Sequence, residues 1–326
     1  MMIKSGIGWS IALSLWMAMV LASTAAAAQD SYPTRPITMV VGFAAGGFAD
    51  TLARLVGGRL SERLGQNVII ENRGGAGGNI AAALVAKAPP DGATILVTTT
   101  GIAFYEVLTK NKTFALDDLK AIAIPAWAPE TLSVNPNRRA RTLAEFVQAG
   151  RSQSISFATP GAGTASHIAA AFFFKELAKI NVVHVPFQGG APAVNAVMGG
   201  HVDALTGAVP GYAGQFQSGA IRGLAIASDK RYTQFPNIPT YAEGGFPTFK
   251  AATWVGFFVP GKTSDAIVDK LNNAINETLA QPDMQERLTT QFMQVDRRNA
   301  AETRSYFDSE IKTWTTMIRS IGLTLD

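Results

Sequence analysis

The sequence contains no cysteine and only three histidines among its 326 residues. The absence of cysteine excludes disulfide bonds, thiol catalysis and cysteine-ligated metal sites. The histidines, His167, His184 and His201, fall in different predicted elements and form no H-x-x-x-H pair. Because an isolated histidine is usually structural, neither a metal site nor any other cofactor site is predicted.

Charge is also sparse, since charged residues make up 16% of the chain and the formal net charge is +4. The one basic cluster, Arg138, Arg139 and Arg141, is interpreted as a solvated loop, and no nucleic-acid partner is predicted. The chain has no G-x-S-x-G elbow. Ser166 and His167 are neighbours on a predicted helix, so their side chains diverge. With no nucleophile to nominate, the protein is not predicted to be an enzyme.

A long apolar run occurs only at the N-terminus. Lys4 precedes an uncharged stretch at residues 7–21, and small residues then extend to Ala28. This order is typical of a secretory signal peptide, and we predict that residues 1–28 are removed and that the protein is periplasmic. A retained anchor is the alternative, but it needs about 20 apolar residues, a length reached here only by including the alanine tail.

Beyond that run, strand-like and helix-like segments alternate, which predicts an α/β fold with mainly parallel sheets flanked by helices. The predicted strands are residues 37–41, 67–71, 94–98, 155–159, 182–185 and 221–228. The predicted helices follow the first two strands, span residues 164–179, begin after Pro192, and appear twice more around residues 267–279 and 307–321.

Several glycine-rich loops join a predicted strand to a predicted helix. They contain Gly46-Gly47, residues 74–78, residues 161–163 and Gly189-Gly190. Glycine lets backbone N–H groups approach a guest, and the start of the next helix adds unpaired donors and partial positive charge. Such loops suit an anion, although tight turns alone also explain any single one. Their spacing matches neither a P-loop nor a dinucleotide fingerprint.

These loops lie within longer motifs that resemble the substrate-binding receptors of tripartite tricarboxylate transporters, the Bug or TctC family. The resemblance extends over essentially the whole chain after the signal peptide. The matching segments are residues 32–36, 43–54, 72–80, 90–96, 161–167, 185–193, 199–203 and 236–245.

The resemblance implies a type II periplasmic-binding-protein fold, with two lobes and a ligand in the cleft between them. The expected division is residues 29–125 for the first part of lobe 1, 126–227 for lobe 2, and 228–326 for the return to lobe 1. It also implies that a ligand carboxylate is held by two loops. These are Ala45, Gly46 and Gly47 on one lobe, and Thr159, Gly163 and Thr164 on the other.

Four further residues are candidates for the site. Thr98 and Thr99 end a predicted strand and offer hydroxyls, although a threonine-rich strand end is also a routine turn. Asp50 either contacts the ligand, caps the first helix or pairs with Arg54 four residues later. His167 follows the second loop, where a polar contact within the lobe is the preferred interpretation.

Aromatic residues distinguish this sequence from the pattern that it resembles. Phe48, Phe104 and Tyr105 stand where smaller or polar residues are common in the family. If they line the cleft, the ligand is an aromatic or otherwise apolar carboxylate rather than citrate; the alternative is that the rings belong to the core.

The resemblance therefore implies a non-catalytic receptor for a small carboxylate, with an aromatic or a dicarboxylic acid as candidates. It would deliver this ligand to the membrane subunits of a tripartite tricarboxylate-type transporter. A monomer is expected, because nothing in the sequence suggests an obligate interface. A receptor that signals to a sensor partner is one alternative, and an enzyme on the same two-lobed fold is another.

Overall fold

The computed structural model describes residues 32–232 and 234–324 of the chain. The predicted signal peptide, residues 1–28, lies outside this part. Within it, no helix is both long and apolar enough to cross a bilayer.

Strands and helices alternate along the described chain. The strands are β1 (Ile37–Val41), β2 (Val68–Asn72), β3 (Thr94–Thr99), β4 (Leu119–Val134), β5 (Ile155–Thr159), β6 (Val182–Pro186), β7 (Ala204–Ala208), β8 (Arg222–Ile226), β9 (Ala252–Pro260) and β10 (Gln294–Val295). The α-helices are α1 (Phe48–Leu64), α2 (Asn79–Ala86), α3 (Tyr105–Leu108), α4 (Leu143–Ser152), α5 (Ala165–Phe172), α6 (Gly190–Met198), α7 (Ala213–Gln217), α8 (Asp265–Leu279), α9 (Pro282–Thr290) and α10 (Ala300–Ile321).

The strands join in the order β2-β1-β3-β9-β4-β7-β5-β6, with β8 and β10 also paired to β4. In the first lobe, β1 lies between β2 and β3 and is parallel to both. In the second lobe, β5 lies in the same way between β6 and β7. Each lobe thus places the first of its three parallel strands between the other two. Parallel sheets of this kind bind ligands at the carboxyl ends of their strands.

Strand β4 runs from one lobe into the other. Up to Pro129 it pairs with β9 of the first lobe, and from Glu130 onwards it pairs with β7 of the second. Strand β9 brings the chain back, because it pairs with both β3 and β4. The two antiparallel strands therefore form the hinge between the lobes.

Each lobe has its own apolar core. In the first lobe, buried residues of β1, α1 and α8 such as Met39, Leu52 and Leu271 pack together. In the second, Phe146, Phe173 and neighbouring residues fill the space between β5, α4 and α5. This separation explains how two lobes can move relative to each other without disturbing either core.

The α/β fold predicted from the sequence is confirmed, and some elements match closely. Strands β1 and β5 have the predicted bounds. The predicted helix at residues 164–179 is α5 followed by a turn of π-helix at Phe173–Ala178. The lobe bounds given above, including a return to lobe 1 from residue 228, stay predictions. Tyr241 and Phe249 still pack in the second-lobe core because their aromatic rings surround Phe173, and β9 begins at Ala252.

The lobes contact each other across the cleft. The Ala44 N–H donates to the Gln188 carbonyl oxygen at 2.8 Å. A Cβ on Gly77 of the first lobe would lie 2.3 Å from the Ala162 carbonyl oxygen of the second. The conformation is therefore a closed one, and glycine permits the approach.

Candidate functional site

The lobes enclose a small cavity of about 40 Å³. It lies at the carboxyl ends of the central strands, where the loops after β1 and β5 meet. Its lining residues are Phe43, Gly47, Phe48, Ala49, Thr99, Pro160, Thr164, Ser166, Gly190, Ala208, Gly211, Tyr212 and Thr253. None of these lining residues carries a formal charge.

Three helices begin at the cavity. Helix α1 starts after Gly47 and helix α6 after Gly189, and neither N-terminus is capped by a side chain. The two starts are close, since a Cβ on Gly47 would lie 3.6 Å from the Gly190 nitrogen. Helix α5 contributes Thr164 and Ser166 from the second lobe. Because the first N–H groups of a helix have no intrahelical acceptor, the cavity collects hydrogen-bond donors and partial positive charge.

The loop after β1 is organised by Asp50, which is 2% exposed. Its carboxylate accepts hydrogen bonds from the Gly46 N–H (2.8 Å), Arg54 Nε (2.9 Å) and Asn72 Nδ2 (2.9 Å). Burial alone would raise the pKa of Asp50, but these bonds hold it below its usual value. The pairing with Arg54 considered from the sequence is therefore present. Asp50 shapes the loop, and its bond occupies the Gly46 N–H.

The loop after β5 is organised by two stacked histidines. The rings of His167 and His184 lie 3.8 Å apart and almost parallel. The Gly163 N–H donates to His167 Nδ1 at 3.2 Å, and His184 Nε2 shares a hydrogen bond of 2.7 Å with Thr159 Oγ1. Burial lowers the pKa of His167 to about 4 and that of His184 to about 3, so both rings are neutral at pH 7. The preferred interpretation of His167, a polar contact within its lobe, agrees with this geometry.

Thr164 caps helix α5. Its hydroxyl accepts from the His167 N–H at 3.2 Å and donates to the Gly161 carbonyl at 2.8 Å. Of the two candidate threonines in β3, Thr99 lines the cavity, whereas the Thr98 hydroxyl lies by Gly78, 2.8 Å from where a Cβ there would stand.

The structure thus brings the predicted residues together in two ways. Gly47, Phe48, Thr99 and Thr164 line the cavity. Ala45, Gly46, Thr98, Thr159 and Gly163 belong to the surrounding loops and strand ends, and Asp50 and His167 lie in the first turns of α1 and α5. Binding roles for all of them remain predictions.

Only one of the three singled-out aromatic residues reaches the cavity. Phe48 lines it. Phe104 packs against Trp314 with ring centres 5.0 Å apart, and Tyr105 stacks on Phe114 at 4.2 Å. Phe104 and Tyr105 are not among the residues that line this cavity, and both rings are buried, as the alternative of a core position has it.

Sequence reasoning missed the floor of the cavity, which comes from the hinge and lobe 2. Ser166, Tyr212 and Thr253 line it. Beneath them lies Glu130, 2% exposed, whose Oε1 accepts hydrogen bonds from the Ser166 hydroxyl (3.1 Å) and the Thr253 hydroxyl. The Glu130 Oε2 and the Tyr212 hydroxyl are buried without a hydrogen-bond partner among the described residues. The one available signal was an acidic residue within an otherwise apolar segment.

A larger groove of about 600 Å³ lies on the opposite face of the hinge. Ala252 and Trp254 line it while Thr253, between them, faces the cavity, as strand alternation requires. Its charged residues pair with one another, as in Lys250–Asp229 and Arg298–Asp296. No helix start lies among its lining residues, so the cavity is the better candidate for an anion.

Comparison with known proteins identifies the family. The TctC profile, described as "Tripartite tricarboxylate transporter family receptor", matches residues 52–323. A UPF0065 protein from the tcbD-tcbE intergenic region of Pseudomonas sp. (strain P51) is 35% identical over 306 residues, which cover 93% of this chain and 91% of that protein.

Two solved structures from Rhodopseudomonas palustris are also similar. One, with adipate, is 29% identical with a TM-score of 0.85, and the match covers 90% of this chain and 99% of that one. The other, MatC with bound malate, is 32% identical with a TM-score of 0.82, and the match covers 88% and 100%. The resemblance seen in the sequence motifs is confirmed: this chain belongs to the receptor family of the tripartite tricarboxylate transporters, with the fold of periplasmic binding proteins.

Proposed function

We propose that this receptor works in the periplasm as a monomer, captures a small carboxylate in the interlobe cavity and delivers it to the membrane subunits of a tripartite tricarboxylate-type transporter. The observation that carries the proposal is the meeting of the uncapped N-termini of α1 and α6 at one cavity. Buried N–H groups without acceptors are costly, and an anion satisfies them.

The lining supports a carboxylate in particular. Since no lining residue is charged, the ligand's negative charge is balanced by N–H groups and helix dipoles rather than by an ion pair. A planar carboxylate offers two oxygens to donors from two directions. One carboxylate oxygen therefore contacts the first lobe while the other oxygen contacts the second, and this bridging favours the closed conformation.

The rest of the ligand lies between rings and hydroxyls. Phe43 and Phe48 provide an apolar wall, and Thr99, Thr253 and Tyr212 provide neutral hydrogen-bonding groups. The similar structures hold adipate and malate, both aliphatic dicarboxylates. We propose that acids of this size, or an aromatic acid held against Phe48, are the ligand class. The cavity of about 40 Å³ must widen by lobe movement to admit their carbon chains.

A thermal-shift experiment tests carboxylate capture. Purified protein, freed of bound acids by unfolding and refolding, is heated with adipate, malate, citrate, benzoate and amino acids. An acid that binds only the folded state increases the free energy of unfolding by RT ln(1 + [L]/Kd), which is about 2.7 kcal/mol at a hundredfold excess over Kd. This gain raises the melting temperature.

The matched control is the diamide or dimethyl ester of the best acid. It keeps the carbon chain and removes the charge, so it should produce no shift. A panel without any shift, or an ester as effective as its acid, contradicts an anion site.

Transport is tested in cells that carry the complete transporter. Uptake of the radiolabelled acid should require both this receptor and the membrane subunits. Uptake that persists without the receptor contradicts delivery, whereas binding without transport would point to a sensor role.

A further inference from the structure

Glu130 occupies the point at which β4 passes from one lobe to the other. The preceding residue, Pro129, pairs with Ala252 of β9, and Glu130 itself pairs with Ala208 of β7. Its side chain lies on the same face as Ala208, which lines the cavity. A carboxyl group is thus built into the hinge directly beneath the ligand site.

No cation accompanies this carboxyl. Among the described residues its partners are the Ser166 and Thr253 hydroxyls, both bonded to Oε1, and Oε2 has none. Two hydroxyl bonds do not replace the hydration of a full negative charge. An ionised Glu130 would also repel a carboxylate held in the same cavity.

The titratable groups that face Glu130 are tyrosines. Tyr212 on the segment before α7 and Tyr241 in the second-lobe core both interact with it electrostatically, and burial raises the pKa of each above its usual value. Both are therefore neutral. His167, next to Ser166 on α5, is directed towards Gly163 and His184 instead. Among the described residues, no side chain on the packed elements carries a positive charge that would keep Glu130 ionised.

We propose that Glu130 takes up a proton when the cleft closes, so that the receptor captures its anionic ligand together with one proton. The protonated Oε2 then has a hydrogen to donate, either to the ligand or to a water beside the Tyr212 hydroxyl. This inference rests on the proposed carboxylate function, and it adds a regulation by pH to that site.

The expected size of the effect follows from linkage. Burial raises the pKa of Glu130 to about 7 from a usual value of 4.5, and the hydroxyl bonds from Thr253 and Ser166 offset part of that rise. The proposal requires that opening of the cleft brings water to the carboxyl and returns its pKa to the usual value. Closure therefore takes up about 0.9 proton at pH 6 and about 0.1 at pH 8, and affinity weakens about tenfold between those values.

Titration calorimetry measures the proton directly. Binding of adipate, malate or benzoate, whichever shifts melting most, is measured at pH 6 and pH 8 in buffers of different ionisation enthalpy. The slope of the observed enthalpy against buffer enthalpy gives the protons taken up. E130Q keeps the shape of the side chain and the Oε1 acceptor. In this variant the proton uptake should fall to the amount contributed by the acid itself, and the tenfold weakening of affinity between pH 6 and pH 8 should disappear.

Glu286→Gln is the matched control, because it makes the same chemical change on the exposed surface of α9. It should behave as the wild type. Equal proton uptake in wild type and E130Q at pH 6 overturns the proposal.

Melting with and without the acid separates this proposal from the carboxylate function. In the open, ligand-free protein Glu130 has its usual pKa, so the melting curves of wild type and E130Q should run parallel from pH 4.5 to pH 8. With the acid at saturating concentration, the raised pKa of Glu130 stabilises the closed protein fully below pH 4.5, and this contribution is lost as the pH rises through about 7. The ligand-induced rise in melting temperature should therefore shrink over that window in the wild type relative to E130Q. A ligand-induced rise with the same pH dependence in both variants overturns the role of Glu130, whereas no rise in either variant rejects the carboxylate function and, with it, the ligand-linked uptake of a proton.

Discussion

Phe48 contacts both the apolar core and the ligand cavity. Its ring packs with the first-lobe core, and it also lines the ligand cavity. It follows Gly47, so its N–H belongs to the uncapped start of α1. The residue therefore offers the ligand a backbone donor that every amino acid has and a side chain that is particular to this protein.

Replacement of Phe48 by alanine should weaken an aromatic acid selectively. A lost ring–ring contact costs about 0.5–1.5 kcal/mol beyond lost area, so benzoate affinity should fall more than malate affinity. Calorimetry with both acids checks this difference. Equal loss for both would mean that the ring acts through the core, and unchanged affinity across the panel would mean that it does not face the ligand.

The buried histidine pair makes the second lobe sensitive to acid. Because the pKa values of His167 and His184 lie below the usual 6.5, their neutral forms stabilise the fold above that pH, and this contribution is lost as the pH falls towards about 4. Urea unfolding from pH 7 to pH 4 should show a steeper loss of stability in the wild type than in His184→Phe. Identical slopes would contradict the buried, neutral state of the pair.

Individual residues of the site differ in how visible they were in the sequence. Gly47 and Thr164 stand in recognisable loop motifs, so their position at the cavity could be anticipated. Tyr212 and Thr253 stand in no motif, and they reach the cavity only because distant strands are neighbours in the sheet. Glu130 required knowledge that the hinge strand passes beneath the site.

The strands show the same contrast. β1 and β5 are short apolar runs bounded by turn residues, and the sequence predicts their bounds. The predicted strands do not include β4, since Pro125 and Pro129 interrupt it and proline usually excludes a central strand. Its pairing with β9 shifts register between Ala121 and Ala126, which accommodates the interruption. Pairing with neighbouring strands, rather than the local sequence pattern, therefore makes this segment a strand.

In the proposed site the helix starts hold the ligand, and Thr164 allows one of them to be tested. Thr164→Ala removes the cap of α5 and should cost about 1 kcal/mol of stability. It should also weaken ligand binding, because the start of α5 lines the cavity. Urea unfolding and calorimetry measure the two effects separately.

Thr142→Ala is its matched control. Thr142 caps α4 through the Glu145 N–H, and it is absent from the cavity lining. It should lose similar stability and keep its affinity. Loss of affinity in both variants would show that general destabilisation, rather than the position of α5, is responsible.

In the proposed mechanism the receptor works by lobe closure, and a cluster of side chains joins the lobes beside the cleft. Ala165 and Ile168 of the second lobe pack with Phe104 and Trp314 of the first. Backbone contacts are closer still, and they depend on glycine where the two surfaces meet. A single added Cβ atom at one of these glycines would therefore hinder closure.

Gly77→Ala should hinder closure. The added Cβ would lie 2.3 Å from the Ala162 carbonyl oxygen, so the closed state is penalised and ligand affinity should drop at least about tenfold. Gly77 also has φ 65°, which adds a backbone cost of about 1–2 kcal/mol.

Gly65→Ala separates the two effects. Gly65 has the same φ of 65° and nothing within 4 Å of the added Cβ. It should show a similar loss of melting temperature with unchanged affinity. Small-angle scattering should show that only Gly77→Ala remains open when the acid is present, and a Gly77→Ala protein that closes normally contradicts the steric argument.

In the proposed site, the end of the cavity that holds the anion consists of backbone N–H groups at helix starts, and this composition has an evolutionary consequence. Only a substitution to proline removes one of these donors, because every other residue supplies a backbone N–H. The walls and floor, in contrast, consist of side chains such as Phe48, Thr253 and Tyr212. Descendants of one ancestral receptor can therefore diversify their preferred nutrient by changing a few side chains, while the ability to hold an acid is inherited with the fold itself.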